Sequence, residues 1–300
     1  MSDDLSYYQE LADKIYSPNA LEGLSTGYSD LDALSGGLKT GELLVIAGTT
    51  GTGKSILAMN ILLNLVKRGI EVDYYDLENS ETVSHQRLVS IWTGKHKGAF
   101  IEDKESAAKA MHEYTEFLNY FDHEFLKSEK ESLFTRVFKF MASSRARVML
   151  VDPLQSLEEE VDGGRILNEQ GKYVRYLKEL AQKKNKTVII CHHMRKSMAR
   201  SGEWVSDLED TADQKYQVPT LEDLRGSGKI SDYATDVWGI VRTSGSKSKA
   251  GRGKTMLRVL KNRTGLKGDV KMFFDEDNLQ FHQTTGKTVN DYADFFSGKL

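Results

Sequence analysis

The stretch Gly48-Thr49-Thr50-Gly51-Thr52-Gly53-Lys54-Ser55 satisfies the pattern G-x-x-x-x-G-K-[ST] at every position. Glycines at this spacing let several backbone N–H groups aim at one point, and the start of a following helix adds partial positive charge there. This is the chemistry of polyphosphate binding. Lys54 is placed to reach the β- and γ-phosphates, and the Ser55 hydroxyl to ligate Mg²⁺, so Mg²⁺ with ATP is the expected ligand. Asp152 closes the apolar run Val148-Met149-Leu150-Val151, where a carboxylate sharing the metal belongs. Glu78 follows the strand-like run 72–77 and suits a base for an attacking water, with Asp76 and Glu81 competing on residue type alone. A zinc site from Cys191, His192 and His193 is rejected, because neighbours on a strand point to opposite faces.

These groups need elements to position them. Leu43-Leu44-Val45-Ile46-Ala47 is a continuous apolar run, the mark of a parallel strand buried on both faces. Residues 55–66 have helical apolar spacing and 71–77 read as the next strand, so the glycine loop sits in a strand–loop–helix–strand unit. Residues 82–147 are charged and mostly helical in pattern. Buried strands are expected at 148–151 and 187–191, an amphipathic helix at 168–183, and later strands at 237–241, 255–260 and 270–274. Residues 194–220 lack periodicity and read as a long loop. Leu5, Tyr8, Leu11 and Ile15 share one face of a helix over 3–16. That helix is too short to stand alone in water and must pack on its own domain or on a neighbouring subunit. The fold class is α/β: a mostly parallel central sheet flanked by helices, with a helical insertion. The expected division is a linker-like helix at 1–20, an ATPase core at 21–283 and a polar tail at 284–300.

The chain has 300 residues, 41 basic and 44 acidic, for a net charge of -3. One cysteine excludes a disulfide framework and a cysteine-built zinc site. No apolar run approaches the roughly 18–20 residues of a membrane span, and the start Met-Ser-Asp-Asp is unlike a signal peptide, so no membrane partner and a cytoplasmic location are expected. The near-zero total hides segregation. Between Lys229 and Asp269 ten Lys or Arg face three Asp, and between Lys183 and Gly202 six basic residues occur without an acidic one. Such runs suit sequence-independent, salt-sensitive contacts with a phosphate backbone.

The order of these motifs resembles the motor core of DnaB-type replicative helicases, with its RecA-like fold, and the helicase half of phage primase-helicases. The resemblance spans roughly residues 22–282. The lead-in Thr26-Gly27-Tyr28-Ser29-Asp30-Leu31-Asp32, Gly36-Gly37-Leu38 and Gly41-Glu42-Leu43 is shared with the recombinase and clock-protein branches. Asp76-Leu77-Glu78-Asn79-Ser80 is similar to the strand-end motif whose Glu is the catalytic base. Leu224-Arg225-Gly226-Ser227-Gly228, with Asp232, Ala234 and Asp236 after it, resembles the channel loop that touches the DNA backbone. The resemblance implies DNA contact by Arg225, Gly226 and Gly228, and by Arg195, Lys196 and Arg200 in the loop after the third strand. It implies that Arg263, with Lys261, reaches the ATP of a neighbouring subunit as an arginine finger. It implies that Arg242 and Phe274 sandwich adenine, and that His193 senses the γ-phosphate and relays it to the DNA loops.

The family's activity would then be ATP-driven movement of a homo-hexamer along single-stranded DNA, 5′ to 3′, with a primase, polymerase or helicase loader as partners. Only about twenty residues stand where the family carries a collar or primase domain, and the helix at 3–16 would take the place of the linker helix docking on a neighbour. A RecA- or RadA-like recombinase filament and a clock-type regulatory ATPase that binds protein are the alternative readings.

Overall fold

A computed structural model describes residues 3–15, 23–158, 166–194, 219–224, 228–242, 253–263 and 265–284. Nine strands run in chain order: β1 (Leu43–Gly48), β2 (Val72–Asp76), β3 (Leu118–Asp122), β4 (Val148–Asp152), β5 (Thr187–His193), β6 (Asp236–Arg242), β7 (Lys254–Asn262), β8 (Gly268–Asp275) and β9 (Gln280–Gln283). They form one sheet in the order β3-β2-β4-β5-β1-β6-β7-β8-β9. From β3 to β6 every pairing is parallel, and from β6 to β9 every pairing is antiparallel. This is the RecA-like P-loop architecture.

Alternation along β1 shows why the sheet must be covered on both sides. Leu44 and Ile46 join one buried cluster, while Leu43, Val45 and Ala47 join the other. The first cluster includes side chains of helices Lys54–Val66, Glu81–Thr93 and Lys104–Thr115. The second includes those of helices Leu133–Ser143, Ile166–Lys184 and Gly228–Tyr233. Helix Lys54–Val66 buries Leu57, Ala58, Met59, Ile61, Leu62, Leu63, Leu65 and Val66, so it is apolar nearly all round, as a core helix must be. Fully burying one such leucine stabilises the fold by about 1.5–3 kcal/mol, so this helix anchors the glycine loop that precedes it.

Two strands go beyond the sequence expectation. Residues 82–147 are not purely helical: β3 lies among them and pairs with β2 at the sheet edge. Its residues after Leu118 are only partly buried, so no clear apolar alternation marks it. β9 closes the other edge. The amino-terminal helix Asp3–Ile15 leaves Leu5 64% and Tyr8 55% exposed, so this half of its apolar face does not pack on its own domain. The basic loop residues Arg195, Lys196 and Arg200 lie outside the described residues, as do Arg225 and Gly226, while Gly228 opens helix Gly228–Tyr233.

Candidate functional site

The C-terminal ends of five parallel strands converge on the loop after β1. Its neighbours β5 and β6 lie on either side, whereas β2 lies three places away, so the loop sits where the strand order switches. Crevices at such points are the usual ligand sites of open α/β sheets. Gly51 and Gly53 adopt φ of 82° and 97°, which side chains disfavour. At Gly48 the limit is space, since a Cβ would lie 2.8 Å from the carbonyl oxygen of Ile240.

Lys54 is buried and its Nζ donates to the Thr49 carbonyl at 3.0 Å, which also accepts from Thr52 Oγ1 at 2.8 Å. Thr50 is exposed at the loop tip. Burial lowers the Lys54 pKa, while Cys191, Asp152 and Glu78 oppose that shift. Asp152 is 1% exposed, and its Oδ2 has no partner. Burial pushes its pKa up to about 6, while a hydrogen bond from Ser55 works the other way. A buried, unpartnered carboxylate oxygen beside a hydroxyl suits a hard cation such as Mg²⁺, which prefers oxygen ligands.

Glu78 is exposed on the turn after β2 and exerts its charge on Lys54, Asp152 and His193, so it faces the same crevice. Its two rivals are otherwise engaged. Asp76 is fully buried and accepts hydrogen bonds from Tyr74, Ser84 and Asn79, and Glu81 lies on the exposed surface 3.9 Å from His85. His193 ends β5 directly opposite Gly48. Burial and the Lys54 charge lower its pKa, while Glu78 opposes that shift, and its Nδ1 is buried and unpartnered. His192 is pushed down to about 4 by burial, followed by the charges of His193 and Lys54. Among the described residues no three His, Cys, Asp or Glu side chains cluster as a metal site of their own.

Arg242 ends β6 and donates from Nη2 to the Gly51 carbonyl at 3.0 Å. Its guanidinium lies 4.4 Å from the Phe274 ring centre. Phe274 is 4% exposed and packs against Phe281 at 4.8 Å. Arg242 and Phe274 therefore stack on each other beside the loop after β1, so the structure brings together the pair expected at adenine.

Lys261 and Arg263 lie elsewhere. β7 runs antiparallel to β6, pairing Thr255 with Arg242 and Asn262 with Asp236. The seven residues of β6 span roughly 20 Å, at about 3.3 Å per residue, so Lys261 and Arg263 sit at the opposite edge of the sheet. There Lys261 Nζ donates to the carbonyls of Ser231 and, at 2.8 Å, Ala234, and Arg263 Nη2 to that of Asp232 at 2.9 Å. Sequence reasoning did not find these ties to helix Gly228–Tyr233, because they join chain segments distant in sequence.

A family model for the DnaB-like helicase C-terminal domain matches residues 23–283. The chain belongs to that family. A probable plasmid replicative DNA helicase of Chlamydia psittaci is 26% identical over 273 residues, covering 89% of this chain and 55% of the relative. The replicative DNA helicase DnaB of Mycoplasma genitalium is 26% identical over 281 residues, covering 87% and 56%. The chain thus spans about half the length of the curated relatives it matches. Among solved structures, one described as an ATPase domain aligns with a TM-score of 0.72 at 19% identity, covering 94% of this chain and 97% of that one. A DnaB-like replicative helicase, described with its interactions with primase, aligns with a TM-score of 0.71 at 20% identity, covering 93% and 66%. These structural likenesses speak to the fold. No described helix is long and apolar enough to cross a membrane.

Proposed function

We propose that this chain is the motor core of a hexameric replicative helicase that hydrolyses Mg-ATP to move along single-stranded DNA, 5′ to 3′ by family analogy. One observation carries the reading: the nucleotide-facing groups and Arg263 occupy opposite edges of the same sheet, roughly 20 Å apart by strand length. Arg263 cannot reach the site of its own chain, so a finger role requires a second subunit at every ATP.

In this reading the loop N–H groups and Lys54 hold the phosphates. Ser55 and Asp152 would hold Mg²⁺, which neutralises charge on the β- and γ-phosphates. Glu78 accepts a proton from the water that attacks the γ-phosphorus in line as the bond to the β-phosphate oxygen breaks. Arg263 of the adjacent subunit stabilises the charge on the transferred group, an effect worth about 10³–10⁵ in rate in related reactions. His193 hydrogen-bonds the γ-phosphate, and its loss shifts the segment that continues into Arg195, Lys196 and Arg200. Those residues, with Arg225, Gly226 and Gly228, contact the DNA backbone. The setting is the cytoplasm, with a primase, polymerase or loader as protein partner.

The test is ATP hydrolysis with and without single-stranded DNA, alongside electron microscopy with an ATP analogue. DNA-stimulated hydrolysis and closed six-membered rings are expected. Open filaments would favour a recombinase, and rings indifferent to DNA would favour a protein-binding ATPase.

A further inference from the structure

The turn bearing Glu78 is held by a carboxylate that performs no chemistry of its own. Asp76 is fully buried, yet every donor to it is neutral. Its Oδ1 accepts from the backbone N–H of Asn79 at 3.0 Å and of Glu78 at 3.3 Å, and from Asn79 Nδ2 at 3.2 Å. Its Oδ2 accepts from Tyr74 at 3.0 Å, from Ser84, and from Tyr120 at 3.5 Å. The first set closes an Asx turn around the residue to be aimed. The second set comes from three places: β2 itself, helix Glu81–Thr93 and edge strand β3. Tyr120 stands directly opposite Tyr74 in the β2–β3 register. The turn has two further ties, from Leu77 N to the Asp152 carbonyl at 2.8 Å and from Arg87 Nη1 to Asn79 Oδ1 at 3.2 Å.

We propose that Asp76 is the positioning residue for Glu78, clamping the base-bearing turn to helix Glu81–Thr93 and to β3. A carboxyl side chain is suited to this task because both of its oxygens can accept, whereas an amide of the same size puts an NH2 donor in place of one of them. Glu78 is exposed, so the direction of its carboxylate depends on how firmly its backbone is held. Through Ser84 and Tyr120 the geometry of hydrolysis is tied to helix Glu81–Thr93 and to edge strand β3. The proposal rests on Glu78 being the base.

The experiment measures kcat and KM for Mg-ATP, and the affinity of a fluorescent nucleotide, for Asp76→Ala, Asp76→Asn, Glu78→Gln and the double variants. Asp76→Ala is expected to lower kcat about 10²-fold, the cost of a group misplaced by an ångström, with KM and nucleotide affinity near wild type. Asp76→Asn keeps one acceptor oxygen but turns an NH2 toward the donors at the other, so it should recover only part of the rate. In the Glu78→Gln background Asp76→Ala should add no further loss, because there is no base left to misplace. Equal losses in both backgrounds, or a matching loss of nucleotide affinity, would overturn the proposal, as would an unchanged kcat. Should Asp76→Ala fail to fold, Ser84→Ala and Tyr120→Phe each remove one donor. Each is expected to cost roughly two- to tenfold in kcat, and wild-type rates in both would refute the clamp. Glu78→Gln at the wild-type rate refutes the base itself, whereas an inactive Glu78→Gln beside an intact Asp76→Ala refutes only the clamp.

Discussion

The two edges of the parallel sheet are both rich in charge and both hold buried carboxylate oxygens without a hydrogen bond, Asp152 Oδ2 at one and Glu42 Oε2 and Asp236 Oδ1 at the other, but they differ in what their basic side chains do. At the C-terminal edge Asp152 Oδ2, His193 Nδ1 and Arg242 Nε are buried with no partner. At the other edge the cations already have partners. Lys261 and Arg263 bond helix carbonyls, and Lys178 Nζ bonds Gly41 O at 2.9 Å and Thr235 Oγ1 at 3.1 Å. The first edge is shaped to receive a ligand. The second is a braced mount that leaves the Arg263 side chain at the surface, available to another molecule.

The most severe break of this contrast is Arg263→Ala. It should lower kcat by about 10³–10⁵-fold with subunit assembly intact. Mixing Arg263→Ala with Lys54→Ala subunits should recover part of the ATPase, because each supplies at one interface what the other lacks. No recovery in the mixture would place both edges in service of one chain's site. Glu78→Gln follows, with an expected loss of about 10²–10⁴-fold in kcat and nucleotide binding retained.

The buried Asp152 should also show itself in stability. The Asp152 pKa of about 6 lies above the ordinary aspartate value, so the folded chain holds this proton longer than the unfolded one. The group's contribution is therefore most favourable below about pH 4 and is lost as pH rises through about 6, a change of about 3 kcal/mol at full ionisation. Asp236, at the other edge, is pushed up to about 7 mainly by burial and then by Glu42, so the same pH dependence is expected there and is not special to the first edge. Urea unfolding without nucleotide should show Asp152→Asn more stable than wild type at pH 7.5, with the advantage disappearing near pH 4.5. An advantage independent of pH would mean that Asp152 is not penalised for its charge. The mildest effect belongs to the braced edge: Lys261→Met should cost about 1–2 kcal/mol in the same assay, from the lost bonds to Ser231 and Ala234.

Legibility in the sequence tracked how local each signal is. The glycine loop could be read entirely, because eight consecutive residues carry both its conformation and its chemistry. β1, β4 and β5 were equally plain, since a strand buried on both faces must be apolar throughout. β3 could not be read, because an edge strand is half-covered and its aromatic residues fit a helix just as well. Asp76 and Glu78, two residues apart, were equivalent by type; only burial and the six bonds to Asp76 separate the clamp from the group left facing the crevice.

The sequence by itself determined the pattern of the glycine loop, the positions of the strand-end carboxylates and the family to which the chain belongs, because these reside in short contiguous patterns. Tertiary structure alone decided which residues share a site. Strand order brought Glu78, Asp152, His193 and Arg242 to the loop after β1, although 164 positions separate the first from the last (242 − 78). The antiparallel turn into β7 carried Arg263 to the far edge, although it is only 21 residues from Arg242 (263 − 242). Separation along the chain says nothing about distance across a sheet, since each reversal of strand direction exchanges its two edges.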